Sequence, residues 1–201
     1  RHTFRDHQRI LFDGNGYSQA WEQEAEGRGL LNNKTTPDAL PCMVDPKNIA
    51  FLERYGVLTE TETRARYVAQ AEQYAKLINI EANTMVYMVR HMYLPALFDY
   101  SGDIATSVAT KAEIGIESRA EREVVTTLTG GINEIYSAVA ALDEDNRHAQ
   151  SIEDCREQDD YYRDSVIPKM VTLRAAVDAM EMICGTDYWP VPSYNKMLFY
   201  V

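Results

Sequence analysis

The chain has 201 residues, 45% of them hydrophobic and 25% charged, which is enough to build one sizeable core or a long bundle with a smaller satellite. A formal net charge of -11 with no basic run excludes a nucleic-acid binder, because affinity for phosphates is carried by Lys and Arg patches. Cys42, Cys155 and Cys184 are odd in number and scattered, so neither a disulfide framework nor a CxxC metal clip is indicated, and a reducing cytoplasm is expected. No apolar run approaches the roughly 20 residues that span a bilayer, and no signal-peptide core is visible. With Arg1 first instead of a Met, the expectation is a soluble segment of something longer.

In chain order, the polar start with His2 and His7 leads through Ile10, Leu11 and Phe12 into Asp13-Gly14-Asn15-Gly16, which reads as a tight turn needing positive φ. A calcium loop does not fit, since the further oxygen ligands and closing Glu of an EF-hand do not follow. Ser18 is placed to cap a short helix through Trp21 and Ala25, ended by Gly27 and Gly29. Prolines 37, 41 and 46 forbid a long helix between Leu30 and Pro46 but allow a single turn beginning at Pro37. Asp45 and Pro46 then open a short helix that Gly56 closes.

Three long helical stretches follow. From Thr59 to Tyr100, Tyr67, Ala71, Tyr74, Ile78, Ala82, Met85, Val89, Met92 and Ala96 recur at steps of three or four and draw one apolar stripe. Thr59 and Glu62 form a capping-box pattern at its start, and Pro95 is expected to kink or end it. Ser101-Gly102-Asp103 reads as a turn. A second helix over about 103–142 carries Val124, Leu128, Ile132, Ile135, Val139 and Leu142, with Gly130-Gly131 predicting a kink or a close helix approach. Asp143 to Asp145 reads as an acidic break. A third helix over about 147–184 carries Ile152, Cys155, Tyr162, Val166, Met170, Leu173, Val177, Met180 and Cys184, interrupted by Pro168 and followed by Gly185. Short connections make sequential helices neighbours. The fold expected is therefore all-α: an antiparallel bundle of three long helices over 59–185, small N-terminal helices over 1–58, and a packed aromatic and proline-rich tail over 186–201.

GxxxxGK, GxGxxG and HExxH are absent, and so is the pair of Glu-x-x-His motifs of a di-iron bundle; Glu144 and His148 are four apart. His91 stands alone. The acidic cluster Glu153, Asp154, Glu157, Asp159, Asp160 and Asp164 could be a cation site or an acid/base pair, but reads better as a solvated face near a helix start. Met85, Met88 and Met92 read as core filler before a binding surface. No Ser or Cys is visibly paired with a base. No catalytic, cofactor-binding or metal-binding residue is assigned.

Particular strings carry more. Ile10-Leu11-Phe12-Asp13-Gly14-Asn15-Gly16-Tyr17-Ser18, Trp21, Glu24-Ala25, Arg28-Gly29-Leu30 and Thr35-Thr36-Pro37-Asp38-Ala39-Leu40-Pro41 resemble the region after the catalytic domain in type III glutamine synthetases. The likeness continues at Arg66-Tyr67, Glu72-Gln73-Tyr74 and Ile80-Glu81-Ala82-Asn83-Thr84-Met85, and ends at Tyr188-Trp189-Pro190-Val191-Pro192-Ser193-Tyr194. Ile114 to Thr129 carries no such string. The resemblance implies a parent enzyme that amidates glutamate with ammonia and ATP through a γ-glutamyl phosphate. It implies ATP and Mg or Mn in an upstream catalytic domain, none of whose motifs matches residues here. This segment is then a non-catalytic C-terminal domain that supports assembly or regulation. Its expected partners are the parent catalytic domain and neighbouring subunits of a ring-shaped homo-oligomer, with Trp189 and Phe199 as apolar contacts, and neither nucleic acid nor membrane. The alternatives are a free-standing interaction module with no ligase parent, and an enzyme in its own right using the cluster near Asp160.

Overall fold

The computed structural model describes residues 1–192 and 194–199; Ser193, Tyr200 and Val201 of the expected tail lie outside the described residues. The described residues form helices and no strand, so the chain is all-α as expected. It divides into two compact units, 1–67 and 68–201.

In the first unit, α1 (His2–Asp6) and a 3₁₀ turn (Gln8–Ile10) precede α2 (Gln19–Gly27), α3 (Thr36–Ala39), a second 3₁₀ turn (Leu40–Val44), α4 (Pro46–Arg54) and the first turns of α5 (Glu60–Met88). The caps are those the residue types require. Ser18 Oγ accepts from Trp21 N at 3.3 Å, Thr35 Oγ1 from Asp38 N at 3.4 Å, and an Asp45 carboxylate oxygen from Lys47 N at 2.9 Å. At Thr59 the capping box forms in both directions, with Glu62 N donating to Thr59 Oγ1 (3.3 Å) and Thr59 N donating to Glu62 Oε2 (2.8 Å). One reading changes: neither Gly14 nor Gly16 has positive φ. Tyr17 N instead donates to the Asn15 side chain at 3.0 Å, closing the turn without left-handed backbone. Gly14 serves close approach, since a Cβ there would lie 2.8 Å from the Phe12 ring.

The second unit is an up-down-up bundle. Its first long helix joins the rest of α5, a π turn (Val89–Tyr93) and α6 (Leu94–Glu113); α7 (Arg119–Gln150) returns. The third joins α8 (Cys155–Tyr161), a π turn (Tyr162–Val166) and α9 (Ile167–Glu181), with α10 (Tyr194–Leu198) in the tail. Polar pairs record the antiparallel register of the first two: Lys111 with Glu121, Arg90 with Asp143, and Asn79 with Asn146. Lys169–Asp145 does so for the second and third. Val89, Leu97, Leu128, Ile135, Leu142, Val166 and Leu173 are among the residues of a single shared core.

Helix boundaries differ from those read in the sequence. Ser101-Gly102-Asp103 is helical, because Leu97 and Ile104 on either side hold the same face against the core and outweigh the roughly 1 kcal/mol cost of one glycine. The chain turns instead at 114–118, where Gly115 takes φ 76 and Ile116 N donates to Lys111 O at 2.9 Å, a Schellman-type ending. Asp143 to Asp145 is also helical. Arg90 and Arg147 hold Asp143, and Lys169 holds Asp145, so these charges face partners instead of breaking the helix. The break falls at 151–154.

Neither proline ends its helix. Pro95 and Pro168 each stand two residues after a π turn. A proline lacks the amide for the i−4 carbonyl and its ring strikes that carbonyl; here those carbonyls belong to His91 and Asp164, inside the π turns, where the wider winding frees them. The extra residue shifts the apolar stripe. After Val89 the next fully buried residue is Leu94, five positions on, while Met92 and Ala96 are only half-buried.

Candidate functional site

The second unit carries a cleft of about 780 Å³ between the end of α5, α9 and the segment after it. Its floor is apolar: Val89, Leu173 and Val177 are core residues, and Met85 and Met170 pack half-buried against them. Tyr93 and Trp189 supply an aromatic wall, with ring centroids 5.0 Å apart and planes at 39°. Charged groups line the remainder. Arg174 Nε donates to both oxygens of Asp178 at 2.6 and 2.8 Å, and Glu81 and Glu181 are exposed lining carboxylates. Burial and the nearby Glu181 charge raise the Tyr93 phenol above its ordinary value.

None of this was assigned from the sequence. Tyr93 lies off the stripe by the residue that the π turn inserts, and the only local signal among the charges was Arg174–Asp178 at i,i+4 spacing. Met85 and Met88 line the cleft, and Met85 also packs on the core; Met92 is half-buried elsewhere. The tail packs through Tyr188 and Trp189: Tyr188 donates to Asp103 at 2.5 Å and meets the Tyr100 ring at 5.0 Å. Phe199 is exposed.

The acidic cluster separates into different roles. Asp154 caps α8 by accepting from Glu157 N at 2.9 Å, Asp160 meets Arg163 at 2.8 Å, and Asp164 meets Arg163 at 2.7 Å. Asp159 departs from the solvated reading: it is 3% exposed, and one carboxylate oxygen is buried without a hydrogen-bond partner among the described residues. Burial, then the neighbouring Asp160 charge, raises its carboxyl to about 7. It points inward because Cys155, Asp159, Tyr162 and Val166 fall at helical spacing on the face that carries the buried Tyr162 and Val166. His91 is exposed against the Tyr87 ring at 4.7 Å, and His148 meets Tyr161 edge-on at 4.8 Å. Among the described residues no three His, Cys, Asp or Glu side chains converge where they could hold a metal ion. No described helix is long and apolar enough to cross a membrane.

Fold and site together define an all-helical domain: a capped N-terminal unit, and a three-helix bundle with an amphipathic cleft. A family model described as the glutamine synthetase C-terminal domain matches residues 1–112, and the chain belongs to that family. It is 33% identical over 201 residues to a glutamine synthetase of Butyrivibrio fibrisolvens, covering 99% of this chain and 29% of that protein. Identity to a type-3 glutamine synthetase of Dictyostelium discoideum is 32% over 204 residues, covering 98% and 28%. With a glutamine synthetase of Bacteroides fragilis it is 28% over 196 residues, covering 94% and 27%. The chain thus spans less than a third of the length of these relatives.

Proposed function

We propose that this chain is the C-terminal helical domain of a type-3 glutamine synthetase, non-catalytic in itself, that supports assembly of the parent enzyme in the cytoplasm. The observation that carries the reading is the family match over residues 1–112, together with relatives more than three times as long as this segment. In this reading an upstream domain binds ATP and Mg or Mn and ligates ammonia to glutamate. The helical domain contacts that domain and neighbouring subunits of a ring-shaped homo-oligomer. Large apolar side chains exposed on the first unit, Tyr17, Leu31, Phe51 and Tyr55 among them, favour such contacts, because covering apolar surface with another surface removes it from water.

The test is a glutamine-forming assay with ATP, glutamate and ammonia on the full-length parent and on a parent cut before residue 68, with mass read by light scattering. Joint loss of the large oligomer and of activity supports the assembly role. Retention of both in the cut protein overturns it.

A further inference from the structure

The cleft between α5 and α9 has the composition of a small-molecule site. Its volume of about 780 Å³ lies within the roughly 300–1,000 Å³ of ligand pockets, and its lining combines a broad apolar floor with four charged groups, of which Arg174, Asp178 and Glu181 act on Tyr93. Methionines make that floor adaptable to irregular molecules. The charged groups set the sign. Arg174 pairs with Asp178 and also feels Glu181, and with Glu81 the four charged lining groups sum to a net negative charge. Tyr93 and Trp189 are rings of a kind whose faces attract cations, and Glu181 acts electrostatically on Tyr93. Two aromatic faces with a carboxylate are the elements that recognise an ammonium group. An anion would meet repulsion there, and a purely apolar molecule would leave the carboxylates uncompensated.

We propose that this cleft binds a small organic amine with an apolar body, the body on the Met85, Val89 and Leu173 floor and the ammonium among Tyr93, Trp189 and Glu181. The inference does not depend on the parent's ligase activity.

The probe is dansylcadaverine, an apolar fluorophore on an alkylammonium, titrated into the 201-residue chain and read by dye emission. The anionic dye 1-anilinonaphthalene-8-sulfonate serves as its counterpart. The expected result is saturable binding of one cationic dye per chain, with the anionic dye about tenfold weaker or worse. Glu181→Gln removes one charge at an exposed position and weakens the cationic dye about fivefold to tenfold while leaving the anionic dye no weaker. Val171→Trp, also at an exposed lining position, fills the cleft and abolishes binding of both. Absence of saturable binding, equal affinity for the two dyes, or cationic affinity unchanged in Glu181→Gln overturns the proposal.

Discussion

Asn146 of α7 donates its side-chain amide to the oxygen of Asn79 on α5 at 3.0 Å, while lying 1% exposed in the bundle. The same amide reaches Asn83 at 3.1 Å, and Asn83 in turn donates to Asn79 at 2.9 Å. A buried amide tolerates only the register that offers it these acceptors, so the three asparagines fix how α7 slides along α5. Asn146→Ala should therefore cost about 0.5–1.5 kcal/mol, since it removes the buried donor while half-buried Asn79 and exposed Asn83 can turn to water. Asn83→Ala should cost less, because Asn79 still accepts from Asn146. Urea unfolding of the three proteins checks the order, and an unchanged midpoint in Asn146→Ala would mean the network adds no net stability.

The two adjacent glycines of α7 should respond in opposite directions. A Cβ on Gly131 would lie 2.2 Å from the Met180 sulfur, and Met180 is itself buried, whereas a Cβ on Gly130 meets nothing. Gly130→Ala should stabilise by up to about 1 kcal/mol through helix propensity. Gly131→Ala should destabilise by about 1–3 kcal/mol through overpacking, and Met180→Ala in the same chain should remove most of that further penalty. Thermal melts of the four proteins decide it; equal effects of the two alanines would refute a close approach at Gly131.

Asp159 makes stability depend on pH in an unusual sense for a carboxylate. Its folded value near 7 lies above the ordinary 3.8, so between about 4 and 7 the folded state holds a proton that the unfolded chain has released. Stability from this group is complete below about pH 4 and is lost as pH rises through 7. Asp159→Asn removes that loss, on the order of 2–4 kcal/mol across the window. The variant should gain on the parent chain from pH 5 to pH 8 and match its pH response below pH 4. Parallel stability profiles for the two proteins over pH 4–8 would place Asp159 in water.

These features differ in how far the sequence discloses them. Leu128, Ile132, Ile135, Val139 and Leu142 are readable as core because α7 runs as unbroken α-helix and keeps its 3.6-residue period. The same rule fails after Val89, where a π turn inserts one residue and brings Leu94 inward in place of Met92. Pro95 hinted at irregularity but not at its form. Glycine and acidic runs misled at 101–103 and 143–145 because tertiary partners override local preference: the core beside Gly102, and Arg90 and Lys169 opposite the aspartates. The cleft was least accessible, since Glu81, Tyr93, Arg174 and Trp189 come from segments far apart in the chain and share no local pattern.

The three thiols should report the bundle's integrity separately. Cys42 and Cys155 are half-buried, whereas Cys184 is 7% exposed and packed in the shared core. Burial raises the Cys184 thiol above its ordinary value, so less of it is thiolate than an ordinary thiol would be at the same pH. Access and ionisation thus act in the same direction. At pH 8 a disulfide-exchange reagent should label Cys42 and Cys155 first, with Cys184 at least about tenfold slower until the bundle opens. Asn146→Ala, by weakening the α5–α7 contact, should speed Cys184 in proportion to its loss of stability if labelling requires global opening. Mass spectrometry of the labelled peptides over time distinguishes the cases. Equal rates at all three cysteines in the folded chain would remove Cys184 from the core, while a slow Cys184 rate indifferent to Asn146→Ala would assign its exposure to local fraying at the end of α9.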